Sequence, residues 1–187
     1  MKANEYIFGG TIVNTILKLF LLVAMALGIA GCKTHYDAVA EYKKAPLDRK
    51  KSGYIVVAED DYRGVKRLKG TGVAVSDVVY QGFGDYLKSV IAGDVPRSLD
   101  ESFTKAHQQE CDYLIVPSIV QWVNEDNEFG KSNGNIAVSI QVYDVATQES
   151  LASVILKTKG PNSPLDDEPA QQLVEPLKAY LEALFKK

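Results

Sequence analysis

Histidine and cysteine are scarce in this chain of 187 residues, at two each, and there is one tryptophan. Two histidines and two cysteines cannot assemble a zinc site at any recognised spacing. His35 lies in a polar stretch and His107 on a polar helical stretch, so neither is expected to bind a ligand. No GxSxG elbow or HExxH pair occurs, and there are no internal repeats. Charge of neither sign dominates: 21 basic against 24 acidic residues give a net charge of −3, which makes no electrostatic case for nucleic acid.

Three motifs fail on closer reading. Gly130-Lys131-Ser132 resembles the end of a phosphate-binding loop, but Glu125 stands where that loop needs its first glycine. Gly70-Thr71-Gly72 opens a helix as a dinucleotide fingerprint would, but Val75 occupies the third glycine position. The acidic stretch Asn124–Glu128, aligned as a calcium loop, puts Phe129 at the obligatory glycine and Asn135 at the closing glutamate. No catalytic, cofactor-binding or metal-ligating residue is nominated, and an enzyme is not expected.

The apolar residues are unevenly spread. Leu19 to Ala30, LFLLVAMALGIA, carries no charge and follows Lys18, with Lys2 further upstream. A positive flank, an apolar stretch and small residues at its end describe a secretory signal. Thr11 to Ala30 has about the length of a membrane span, but Asn14 and Lys18 interrupt it.

Ile29-Ala30-Gly31-Cys32 closes that run and resembles the lipobox of bacterial lipoproteins. The resemblance implies cleavage before Cys32, acyl chains on Cys32, and a mature protein tethered by lipid without spanning the membrane; two or more chains anchor stably. It also implies that Lys33, where aspartate would retain the protein at the inner membrane, sorts it to the outer membrane. Loss of residues 1–31 removes two lysines and one glutamate, moving the net charge to about −4. Cys111 is then the remaining thiol. It is expected to be a small buried hydrophobe at a strand start beside Tyr113, Ile115 and Ile119.

The expected organisation is a signal peptide over 1–31, a lipidated N-terminus and tether over 32–52, and a periplasmic α/β domain over 53–187. The tether is polar, rich in lysine and broken by Pro46, with room for a helical turn or two around Tyr36–Lys43. Tyr54–Ala58 reads as a buried strand. Val75, Val79, Phe83, Leu87 and Val90 predict an amphipathic helix over Val73–Ala92. Gly82 and Gly84 weaken it unless close packing on a sheet requires them. Ser98 and Glu101 form a capping-box pattern that starts a second helix running to about Gln109. Asp112–Val123 is a strand, with Pro117 marking a bulge or an edge. A polar loop then leads to the alternating strand Ile136–Tyr143. A turn over Asp144–Ser150 precedes a strand over Leu151–Leu156. A last helix spans about Pro169–Phe185, with Pro176 as a kink or in the first turn.

The order of elements predicts an α/β fold. It is a single two-layer domain with a mixed sheet, parallel βα units followed by an antiparallel meander, covered by about three helices. The hairpin from Ser118 to Tyr143 is the candidate partner surface, with Trp122, Glu125, Asp126, Glu128 and Phe129 as its residues. Aromatic side chains concentrate interface energy, and loops carry function more often than scaffolds.

Three stretches carry a resemblance over roughly Tyr54 to Phe185: CDYLIVPSIVQW from Cys111, VSIQVYDVAT from Val138, and LVEPLKAY from Leu173. Together with Gly70-Thr71-Gly72 and the lipobox, they resemble the envelope lipoproteins of domain of unknown function 4823. The pattern is also similar to curli-secretion lipoproteins and to the N-terminal domain of the Tol-Pal translocation protein. These resemblances imply an α/β fold and envelope residence, and they supply no catalytic residues. The function they imply is that of an outer-membrane lipoprotein facing the periplasm. It would bind an envelope protein or act as an assembly accessory, with the membrane held through its lipid. The alternative is a subunit of a curli-type export assembly, with which homo-oligomerisation is compatible.

Overall fold

The computed structural model describes residues 36–126, 132–161 and 169–186. In chain order their elements are β1 (Tyr36–Lys43), β2 (Ser52–Ile55), β3 (Tyr62–Arg63), β4 (Lys66–Arg67), α1 (Thr71–Gly84), β5 (Ser89–Ala92), α2 (Leu99–Gln108), β6 (Tyr113–Asp126), β7 (Ser132–Asp144) and β8 (Ser150–Pro161). A 3₁₀ turn over Pro169–Leu173 then leads into α3 (Val174–Leu184). Six strands form one mixed sheet in the order β1-β8-β7-β6-β2-β5, and β3 and β4 form a separate small hairpin.

β2 runs parallel to β5 and to β6, while β6, β7 and β8 form the expected antiparallel meander. Alternation sorts the side chains by face. On β7, Ile136, Val138, Ile140 and Val142 are buried. They meet Val75, Val79 and Phe83 of α1 and Leu177, Leu181 and Leu184 of α3 in the main core. A fully buried side chain such as Phe83 contributes about 1.5–3 kcal/mol. Tyr54, Val56 and Leu114 point to the other face, where they join Phe103 and Ala106 of α2 in a smaller core. α1 and α3 thus cover one face of the sheet, and α2 alone packs on the reverse face.

Several sequence expectations hold in detail. Ser98 caps α2: its Oγ accepts the Glu101 N–H, and Glu101 accepts the Ser98 N–H in return. The Ser98 hydroxyl, which donates to Glu101 Oε2 at 2.8 Å, and then the Ser98 N–H hold the Glu101 carboxyl below its usual range. Pro176 falls in the first turn of α3, where its missing N–H costs nothing. Pro117 sits at a local edge. The Ile115 carbonyl faces β2, accepting the Val56 N–H at 3.0 Å. Residues two apart face the same way, so the Pro117 nitrogen points to the side where β2 has ended. A bulge follows between Ile119 and Gln121.

Four expectations are corrected. The helix expected over Val73–Ala92 stops at Gly84, where Tyr86 and Leu87 donate to the Phe83 carbonyl and close its last turn. Ser89–Ala92 is instead β5, paired with Ser52–Ile55. Leu87 and Val90 continue the three-four spacing by coincidence. Gly82 does serve close packing, but against a helix: a Cβ there would lie 2.7 Å from Leu177 Cδ2, while one at Gly84 meets nothing. Tyr36–Lys43, read as helical turns in the tether, is a strand along β8. Lys43 Nζ fastens its end by donating to the Ala183 carbonyl at 2.5 Å, where the dipole of α3 favours a cation. The polar loop expected from Asn124 is partly ladder, since β6 and β7 continue to the pair Asp126–Ser132.

Candidate functional site

Where β2 leaves the sheet, a set of short hydrogen bonds ties the following hairpin to the start of α1. Asp60 Oδ1 accepts the Gly72 N–H at 2.9 Å, and its Oδ2 pairs with Arg67 Nε at 2.9 Å. Thr71 Oγ1 accepts the Asp61 N–H and donates to the Leu68 carbonyl. Ser76 Oγ accepts the Ala58 N–H and donates to the Gly72 carbonyl, both at 2.8 Å. Two glycines are required here for separate reasons. Gly70 precedes the helix at φ 88°, in the left-handed region. A Cβ on Gly72 would lie 2.1 Å from the Ala58 carbonyl oxygen, a backbone atom that cannot move aside. The Gly-Thr-Gly signal is therefore a helix-start device and not a nucleotide loop.

The β3–β4 hairpin rises from this base and faces Trp122 across an open cleft of about 700 Å³. Arg63, Lys66, Arg67 and Lys69 line one side and the indole the other. Arg67 is engaged by Asp60. Among the described residues, Arg63, Lys66 and Lys69 have no carboxylate partner. Cations beside an aromatic wall suit an anionic ligand with an apolar part. Thr71, the hydroxyl among the described residues of the cleft wall, already uses its oxygen in both directions. Among the described residues, no three His, Cys, Asp or Glu side chains converge as a metal cage.

The sequence-nominated residues are dispersed differently from the expectation. Trp122 is partly buried and packs against the main core while it walls the cleft. Glu125 and Asp126 occupy β6 opposite Asn133 and Ser132. Glu128 and Phe129, like Cys32 and Lys33, lie outside the described residues. Cys111 is buried, as expected, but in the smaller core with Tyr54, Phe103 and Leu114. Tyr113, Ile115 and Ile119 lie on the opposite face of the sheet. Burial, reinforced by the Asp112 charge, pushes the Cys111 thiol up. His107 is exposed. The basic hairpin was missed because it reads as a charged, glycine-containing loop. The available signal was four cations in seven residues around a lone valine.

A mixed sheet with helices on both faces, carrying a cationic, tryptophan-walled cleft, defines a small α/β domain. The chain belongs to the family described as domain of unknown function DUF4823, whose model matches residues 45–184. That match meets the expectation drawn from the three resembling stretches. The fold is similar to that of the PelC dodecamer from Paraburkholderia phytofirmans, at 13% identity and a TM-score of 0.60, covering 77% of this chain and 96% of that one. It is also similar to the lipoprotein GNA1162 from Neisseria meningitidis, at 10% identity and a TM-score of 0.52, covering 71% and 99% respectively. At such identities the likeness is one of fold. No curated protein matches the chain.

Proposed function

We propose that this chain is a lipid-anchored accessory protein of the bacterial outer membrane. In this reading Cys32 is the acylated N-terminus of the mature protein and Lys33 sorts it to the outer membrane. The domain faces the periplasm and acts by binding an envelope component through its Trp122 end, without catalysis. The observation that carries the reading is Ile29-Ala30-Gly31-Cys32 at the end of an uncharged apolar run. The fold likeness to a meningococcal lipoprotein supports it. The cationic cleft supports the binding role.

Labelled palmitate and membrane fractionation test the anchor. The wild type incorporates label and fractionates with the outer membrane, Cys32→Ala does neither, and Lys33→Asp moves the protein to the inner membrane. Wild-type protein that never takes up palmitate ends the proposal.

A ring-forming subunit of an export assembly is the second reading. PelC, whose fold this chain resembles, is a dodecamer, and β1 and β5 are both open sheet edges within the described fold. The particle mass in detergent extracts decides: many protomers support a ring, and a monomer mass removes it.

A further inference from the structure

Sheet register fixes the end of the domain from which the N-terminal chain departs. Tyr36 pairs with Thr158, Thr158 with Ile136, and Ile136 with Trp122. One line across β1, β8, β7 and β6 therefore joins the first residue of β1 to the tryptophan. Three strand spacings make that line about 14 Å long. Only residues 33–35 separate Cys32 from Tyr36, and four residue steps span at most about 14 Å when fully extended. An acyl group on Cys32 would thus hold the Trp122 end of the sheet, and not the opposite end, against the bilayer surface. The strand found at Tyr36–Lys43 is what removes the slack that a tether up to residue 52 would have provided.

The end so placed carries the β3–β4 hairpin. Val65 at its tip is fully exposed and Tyr62 is 57% exposed, with Arg63 and Lys66, which have no carboxylate partner among the described residues, on either side and Lys69 just beyond. A fully exposed valine between cations suits an interface where apolar atoms enter the headgroup layer and cations meet phosphates. Glu125 and Asp126 lie three and four residues beyond Trp122 on β6.

We infer that the β3–β4 hairpin, with Trp122 behind it, is a membrane-docking element that lays the domain on the anionic phospholipid surface to which Cys32 tethers it. The inference names the component bound by the Trp122 end and rests on the acylation of Cys32 proposed above. Trp122 is the sole tryptophan, so its emission is a direct reporter. The mature acylated protein is reconstituted in vesicles bearing headgroup nitroxides, of phosphatidylglycerol mixed with phosphatidylcholine or of phosphatidylcholine alone, and flotation is scored alongside. The expected result is strong quenching of Trp122 in the anionic vesicles. That quenching falls to the lower level set by the tether alone in phosphatidylcholine, in about 1 M salt where screening shortens to about 3 Å, and in the R63E/K66E/K69E variant. V65D, which leaves the cations in place, should show the same fall, so a folding defect in the triple variant does not decide the matter. Protein that floats with unquenched Trp122 overturns the docking and leaves the anchor standing. Equal quenching in both lipids and in the variants assigns proximity to the tether alone and also overturns it. Crosslinking of the hairpin in cells to a protein, with no quenching by lipid, replaces the membrane with that protein. Failure to float overturns the acylation and the docking together.

Discussion

Replacing Trp122 with alanine separates two roles for one side chain. The indole packs against the main core and walls the cleft, and it is only partly buried. A fully buried tryptophan truncated to alanine costs about 3–5 kcal/mol. With part of the ring facing the cleft, the expected loss is about 2–3 kcal/mol. For a domain of this size each kcal/mol lowers the melting temperature by roughly 2–4 °C. Thermal unfolding of the mature protein, followed by circular dichroism, should therefore show a single transition shifted down by roughly 5–10 °C, and Trp122→Phe should recover more than half of it. An unchanged transition would show that the ring contributes no packing. Loss of any cooperative transition would make it a central core residue and remove the cleft wall with it. Either result refutes the placement.

Gly82→Ala and Gly84→Ala make the same change on one helix and should differ in sign. Alanine gains up to about 1 kcal/mol of helix propensity at each, but at Gly82 the 2.7 Å approach to Leu177 adds overpacking of about 1–3 kcal/mol. The urea midpoint should rise for Gly84→Ala and fall for Gly82→Ala; a rise in both refutes the close α1–α3 contact. Cys111→Ala should cost about 1 kcal/mol as a small core truncation, and a bulky maleimide should leave the native thiol unlabelled; rapid labelling places the thiol at the surface. Asp144 accepts the N–H groups of Ala146 and Thr147 at 3.0 and 2.9 Å, and these bonds, the one from Thr147 foremost, hold its carboxyl below the usual range. The stability this adds is full above the ordinary aspartate value of about 4. It is lost as the pH falls through the lower folded value. Wild type should therefore exceed Asp144→Asn in urea unfolding at neutral pH, with the gap closing in acid. A gap independent of pH contradicts the assignment.

Elements whose own side chains select their partners were legible in the sequence. β7 alternates cleanly because one face is core. α2 announces its start because Ser98 and Glu101 satisfy each other's backbone groups. The parallel pairing of β2 with β6 follows from two apolar runs separated by a crossover. Elements that borrow their stability were not legible. β1 is held by the backbone ladder to β8 and by Lys43 on the end of α3, so its own sequence looks like a polar tether. β5 is four residues long and inherits the periodicity of the helix before it. The cleft joins residues some sixty positions apart, from Arg63 to Trp122. Trp122 stood out as the sole tryptophan, beside an acidic loop at the end of a strand pattern, whereas its cationic counterpart required the geometry around Asp60 and Gly72.

Cys32 decides the central claim, and the mass of the mature N-terminal peptide tests it most directly. A lipid anchor predicts a peptide that begins at Cys32 and carries the mass of a diacylglycerol thioether and an amide-linked acyl chain. A peptide beginning at Met1, or an unmodified Cys32 inside a longer peptide, would contradict it.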